Sequence, residues 1–545
     1  MHHLLGARRI AGVLSVLLLS ACSSDGGGGD AGEGRAAWTN VSTNSISFNV
    51  EGPDAETPAS QTITATFGDN VAHLAVIHTG NGVANVTSTT SGRTAEITIL
   101  PTAPETLGSG IFQGAVAVTG YFCADAACTS LAAGNTQQIS VTYQISPVLL
   151  TIAPYVGTAN VSNTAIIRGV GFASFAVRGV RFNDTAATDF AVFSDQEIRV
   201  TYPALPAGTY DVQLELAGHE GDLDSQASLV ILEPTTFPAQ TLAYPAAGTV
   251  REVLYDPERR AILLATDASS GSLVRYAHDG TAWSAPTTAS LSDVQDLSLS
   301  TRGDRLLAIT RTALVPFDPV SLAAGTSIAA PSPAEGVFLR GLGVTNDDRA
   351  LITTGRAESQ ASALYLYTGR TATVVALNTG LNNATPAAAL TGSSIVFVQG
   401  ISSTTTAPPV VLFSASSGQF DSTAASLTQN AVPPAVDRGG TRALLNGTNV
   451  YGPGFALFGT LPAGAVAATL KPDGTRAYTY DPSAGGLRVF DVAETRNGQA
   501  YSAVGNPVAL VGDPGANPRM TISLDGNTLF IAGSTQLIVQ PTPAQ

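Results

Sequence analysis

Lysine is all but missing from this chain: Lys471 is the only one in 545 residues, and the remaining 25 of its 26 Lys+Arg are arginine. That reads as a composition bias rather than as chemistry. Charge of either sign is scarce, with 12% Asp, Glu, Lys and Arg, about half the usual share of a soluble domain. What charge there is leans acidic, 41 carboxylates against 26 cations, for a net of -15. Such a surface repels a phosphate backbone, which excludes nucleic acid as an expected partner. Only three cysteines occur. No Gly-x-Ser-x-Gly elbow, Cys-x-x-Cys-His haem site or His-Glu-x-x-His zinc helix is present, so no cofactor, metal or catalytic residue is expected.

Long apolar runs are also lacking. The longest useful one, Ile10 to Ala21 behind Arg8 and Arg9, is about 12 residues, too short for a bilayer of roughly 30 Å. A basic flank, a short apolar core and small residues before a break describe an export signal over 1–21. Its last residues, Leu19-Ser20-Ala21-Cys22, resemble the bacterial lipobox. That resemblance implies lipidation of Cys22 and attachment to a membrane; an ordinary cleaved signal is the alternative. Ser23 after the cysteine implies the outer membrane, in a cell that has one. Residues 22–37, "CSSDGGGGDAGEGRAA", hold no apolar side chain larger than alanine apart from the cysteine, and read as a flexible tether. With Cys22 taken, Cys123 and Cys128 remain, an even pair at close spacing in an exported chain. A disulfide is expected there, stapling a hairpin loop.

From residue 38 to 146 the pattern alternates. "SISFNV" (Ser45–Val50), "QTITATF" (Gln61–Phe67), "AEITIL" (Ala95–Leu100), "GAVAVTGYF" (Gly114–Phe122) and "QQISVTYQI" (Gln137–Ile145) each have period two between turn residues. Such strands suggest an antiparallel sandwich, similar to a bacterial immunoglobulin-like module. The next stretch, 147–233, carries "IIRGVGF" (Ile166–Phe172), "VRFND" (Val180–Asp184), "SDQEIRVTYP" (Ser194–Pro203) and "AGTYDVQL" (Ala207–Leu214). It resembles the IPT/TIG family of immunoglobulin-like domains. The resemblance implies a module that binds partners or DNA or serves as a spacer, and the acidic balance speaks against DNA.

A repeat occupies 234–545. Apolar strands begin at Ala261, Leu306, Ala350, Ile395, Ala443, Ala477 and Leu529, and third strands follow as "LVRYAHDG", "LVPFDP", "LYLYTG", "VVLFSA", "FALFGT", "LRVFDV" and "LIVQP". Seven units of roughly 45 residues suit four-stranded propeller blades; a series of sandwiches is the alternative. The last unit lacks a fourth strand, which "TFPAQTLAY" (Thr236–Tyr244) can supply, closing the ring and hiding its edges. "LKPDGTRAYTYDPSAGGLRVFDV" (Leu470–Val492) resembles YVTN-type and lactonase-like propellers. The expected fold class is therefore all-β: two immunoglobulin-like β-sandwiches followed by a seven-bladed β-propeller.

Propeller sites lie where the innermost strands converge, so the residues that begin those strands are the candidate ligand-binding set: Arg251, Glu252, Asp296, Arg340 and Arg519. Equivalent places in other blades carry Pro386, Val436 and Val466. Three arginines at one mouth can grip a carboxylate or acidic sugar; interblade ion pairs with Glu252 or Asp296 are the competing reading. The propeller's only histidine, His278, is expected on a surface turn, and "NDD" (Asn346–Asp348) on an inter-strand turn. The functions that fit are binding of protein or glycan at the cell envelope, a hydrolase of the lactonase type, or a structural envelope component.

Overall fold

The computed structural model describes residues 39–217, 222–245, 248–331, 336–347, 349–356, 363–369, 373–380, 385–388, 395–399, 410–414, 417–423 and 432–543. The export signal, Cys22 and the tether lie outside the described residues. The chain forms two compact units, one up to Val148 that also takes in Gly169–Ala176, the other of Leu149–Arg168 and Val177 onward.

In the first unit two four-stranded sheets face each other. One is ordered Thr39–Val41, Gln61–Phe67, Thr94–Pro101, Val83–Ser91; the other Ser45–Val50, Leu131–Ile145, Gly110–Cys123, His73–Thr79. Gln61–Phe67 shows why: Ile63, Ala65 and Phe67 are buried while Thr62, Thr64 and Thr66 are exposed, the alternation of a strand with one face on a core. Ile97, Ile99, Ile139 and Val141 are fully buried, and Phe48 meets Tyr143 edge-on at 5.8 Å. Each such aliphatic side chain contributes about 1.5–3 kcal/mol on burial. Cys123 and Cys128 are disulfide-bonded in the loop between the two longest strands, as the pairing argument expected. Asp125 inside that loop accepts hydrogen bonds from the backbone and hydroxyls of Thr129 and Ser130. These hold its carboxyl well below the usual range, the Ser130 hydroxyl most of all.

Another pair of sheets follows, in the second unit except for Val148, Gly169 and Val170. Asp189–Ser194, Glu197–Tyr202, Asn163–Val170 and Val148–Ala153 make one; Val156–Thr158, Asp222–Leu232, Gly208–Leu216, Val177–Phe182 and Thr185–Ala186 make the other. After them come seven sheets, the blades. Six have four strands, and each pairs the first strand with the second, the second with the third and the third with the fourth. The first strands are Val250–Asp256, Asp296–Leu299, Val337–Val344, Thr385–Ala388, Ala435–Val436, Ala467–Leu470 and Arg519–Ile522. Each lies beside the next, and the seventh returns to the first, so the ring is closed. Second strands are buried along their whole length, as in Ala261–Thr266 and Thr528–Ala532. They are covered by a blade on either side, which explains unbroken apolar runs without alternation. Gln240–Ala243, from the predicted closing stretch, pairs antiparallel with Gln536–Pro541, so the two ends of the propeller are stitched into one blade.

Blades 5 and 6 differ from expectation. "FALFGT" supplies the fourth strand of blade 5, Leu457–Thr460, and the third is Asn449–Tyr451. Asn446 and Gly447, both at positive φ (56° and 66°), make the tight turn before it, with Thr448 N–H donating to Leu445 O at 3.1 Å. Positive φ at both central residues is the hairpin geometry that Asn-Gly favours. Blade 6 has three strands. Its outer edge is covered by an irregular segment, where Leu487 and Val508 exchange two backbone hydrogen bonds of 2.8 Å and Val504 donates to Val489.

Candidate functional site: the channel and its two ends

The first strands of all seven blades line a central cavity of about 440 Å³. Where they begin, the candidate residues gather. Glu252, Asp296 and Arg519 line the cavity. Arg251 and Arg340 sit just beside it, each as the extra residue of a β-bulge: pairing shifts between Val250 and Glu252, and again between Leu339 and Gly341. A bulge leaves its extra residue out of the ladder and re-aims the side chain. The same device at the same place in blades 1 and 3 turns two arginines toward one mouth.

The charges are not paired off as interblade bridges. Arg251 Nη2 reaches Asp267 Oδ2 of its own blade at 3.2 Å. Among the described residues the side chains of Arg340 and Arg519 make no hydrogen bond or ion pair, and the Nε atoms of Arg519 and Arg251 are enclosed without a partner. Burial, with repulsion from Arg519 and Arg251 added, pulls the Arg340 guanidinium below its ordinary value. Asp296 is a clamp between blades. Its Oδ2 accepts from Leu342 N–H of blade 3 at 2.7 Å and its Oδ1 from Leu297 N–H at 2.8 Å. Glu252 Oε1 accepts from Val253 N–H at 3.0 Å. Burial raises the carboxyls of both, Asp296 well above the ordinary range because Glu252 adds like charge beside it. Arg519 counters both shifts.

Of the equivalent positions in other blades, Pro386 and Val436 also line the cavity, while Val466 is 40% exposed and precedes its strand. His278 lies outside the channel. It follows the third strand of blade 1 and packs on Phe237 and Trp283, with ring centroids 4.8 and 5.0 Å away, in an aromatic cluster with Phe530 beside the stitched blade.

The opposite end of the channel holds residues that sequence reasoning passed over. Pro154, Tyr155 and Val156 line the cavity there. Tyr155 is fixed by its own carbonyl, which accepts from Val230 N–H at 2.7 Å. Arg438, after the first strand of blade 5, donates to Val156 O. Thr151 Oγ1 and Arg168 Nε reach Asn346 in blade 3, at its carbonyl (3.3 Å) and Oδ1 (3.1 Å). Asn346 is fully buried, so the turn read as "NDD" is a docking point. Arg168 is itself paired with Glu197 at 3.0 Å, the two side chains only 6% and 0% exposed. Arg259 of blade 1 bonds Asp256 Oδ2 and Gly303 O, both at 2.9 Å, and Gly303 packs on Tyr155. A Cβ on Gly303 would fall 1.8 Å from the Tyr155 hydroxyl, at a φ of +68° that side chains avoid. Gly303→Ala should therefore destabilise the second unit by about 1–3 kcal/mol. Adding Tyr155→Ala should recover part of that loss in a denaturation midpoint; full additivity of the two changes would contradict the contact.

Residues 147–229 match the family model of the IPT/TIG domain. The pair of sheets at this end of the channel is thus an IPT/TIG domain. No curated protein matches the chain. Among solved structures, U3-55K is similar at 10% identity and a TM-score of 0.41, over 55% of this chain and 98% of its own. The WD40 repeats of RRP9 are similar at 11% identity and 0.40, over 56% and 100%. A protein of unknown function from Bacteroides thetaiotaomicron follows at 13% identity and 0.36, over 72% and 98%.

Proposed function

We propose that this is a lipid-anchored binding protein of the cell envelope, in an interaction or scaffold role, whose propeller mouth holds an acidic group on a protein or glycan. One observation carries the reading: Arg519 on the wall of a 440 Å³ cavity and Arg340 beside its mouth have, among the described residues, no side-chain hydrogen bond or ion pair. Glu252 and Asp296 lie near these half-buried cations without forming an ion pair with them, so a carboxylate arriving there gains two charge-assisted contacts of the kind that guanidinium makes in bidentate form. The stretch 470–492, similar to YVTN-type and lactonase-like propellers, belongs to blade 6; the first sandwich serves as spacer. A glycan array and a pull-down with the full chain, run beside an Arg340→Ala/Arg519→Ala variant, test it. Acidic ligands captured by the native chain and lost by the variant are expected; equal capture by both would sink the reading.

The anchor is tested separately. Cys22→Ser should abolish incorporation of labelled palmitate and move the protein from the membrane to the soluble fraction. Unchanged fractionation would contradict lipidation at Cys22.

A further inference from the structure

Resting on the arginine site just proposed, we infer that the mouth takes the end of an acidic saccharide, a terminal uronate-type sugar, and not the interior of a chain. Among the described residues the channel is capped at one end by Pro154, Tyr155 and Val156. At the end away from the arginines, IPT/TIG residues meet the strand-end turns of blades 1, 2, 3 and 5, through Tyr155 beside Arg259 and Gly303, Arg168 on Asn346, and Val156 under Arg438. A polymer entering at the mouth runs into this cap, so a terminus or a free monomer is what fills the cavity. Its volume, about 440 Å³, lies in the range of small-molecule sites, about 300–1,000 Å³.

The lining chemistry selects the class. Beside and below the arginines the cavity carries Glu252, Asp296, Ser298, Thr469 and Thr521 among apolar side chains such as Leu254, Leu299 and Met520, which suit the C–H faces of a sugar ring. Hydroxyls both donate and accept, and carboxylates accept, so the wall offers repeated partners to a ring carrying several hydroxyl groups. A sugar carboxylate meets Arg340 and Arg519 at the rim while its hydroxyls meet this wall. A peptide carboxy-terminus supplies the carboxylate but not the array of hydroxyls, which is why the sugar is favoured.

Calorimetric titration of the full chain with glucuronate, a galacturonate trimer and polygalacturonate tests the inference. Expected are binding of the monosaccharide and the same number of protein molecules per chain on trimer and polymer, set by chain ends. Arg340→Ala and Arg519→Ala should each weaken it about tenfold or more. Stoichiometry that climbs with chain length would overturn end capture while leaving the arginine site standing. Arginine-dependent binding of a peptide with a free carboxy-terminus, and of no uronate, would overturn the sugar in favour of the peptide. If neither the uronates nor the peptide bound, this inference and the proposed function would fall together.

Discussion

Glu197→Ala is expected to lower the stability of the whole second unit by about 3–5 kcal/mol, and to do so in the propeller's own signal. Glu197 is completely buried in the IPT/TIG domain and touches no blade directly in its ion pairs; its Oε2 meets Arg168 and its Oε1 accepts from Arg199 Nε at 2.8 Å. Without it the Arg168 guanidinium stays buried with Asn346 as its hydrogen-bond partner and Asp347 as a nearby counter-charge offset by Arg349 and Arg199, and burial already holds Arg168 below its ordinary value. An unpaired buried charge is far more unfavourable than a missing pair, because desolvation is no longer offset. The strain falls at the joint, since the other side of Arg168 is blade 3. Trp283 lies in blade 1 and, with Trp38 replaced by Phe, is the only tryptophan left. Its fluorescence transition in urea should move to lower denaturant in Glu197→Ala, and less in Glu197→Gln, which keeps an acceptor. A Trp283 transition that stays in place would mean the IPT/TIG domain and the propeller unfold independently.

The second large effect is on binding. Arg340→Ala and Arg519→Ala should each reduce affinity for an acidic ligand by at least tenfold, about 1.4 kcal/mol, and Arg251→Ala by less. The ranking follows from pairing: Arg251 is already engaged with Asp267, while the other two guanidinia are unspent. The pH dependence has a definite sign. Glu252 and Asp296 both have raised carboxyls. As pH rises from their unfolded values of about 4 through the raised folded values, they ionise and draw on Arg519, so anion affinity falls. Stability moves the same way. A raised acid binds its proton more tightly when folded, so its contribution is complete below the unfolded value and is lost as pH climbs through the folded one. Titrations across that window measure both, and an affinity that rises with pH would contradict the arrangement.

Much of this architecture can be read from residues alone, and the exceptions have physical causes. Second strands such as "AILLAT" and "LFIAG" are unbroken apolar runs because neighbouring blades cover both faces, and that contrast with the alternating strands of the first sandwich reveals the repeat. The closing strand is legible because the last unit ends one strand short. In blade 5, "FALFGT" has the look of its sister third strands, but Asn446-Gly447 forces an earlier hairpin; the Asn-Gly pair was the available signal. The mouth is legible because strand starts are predictable and charged residues are scarce. Its bulges are not, since one extra residue in a ladder leaves no mark in hydrophobic period. The closed end was invisible for another reason. Thr151 and Asn346 are 195 positions apart and Val156 and Arg438 are 282 apart, and nothing local in either segment announces the other.

What occupies the channel decides what the propeller does. A crystal structure of the full chain grown with glucuronate measures it directly. Density for the sugar inside the cavity, its carboxylate between Arg340 and Arg519 and its ring toward Thr469 and Thr521, with Tyr155 closing the far end, is the predicted result. An empty or solvent-filled channel in crystals that carry the sugar on an outer face of the blades would contradict it.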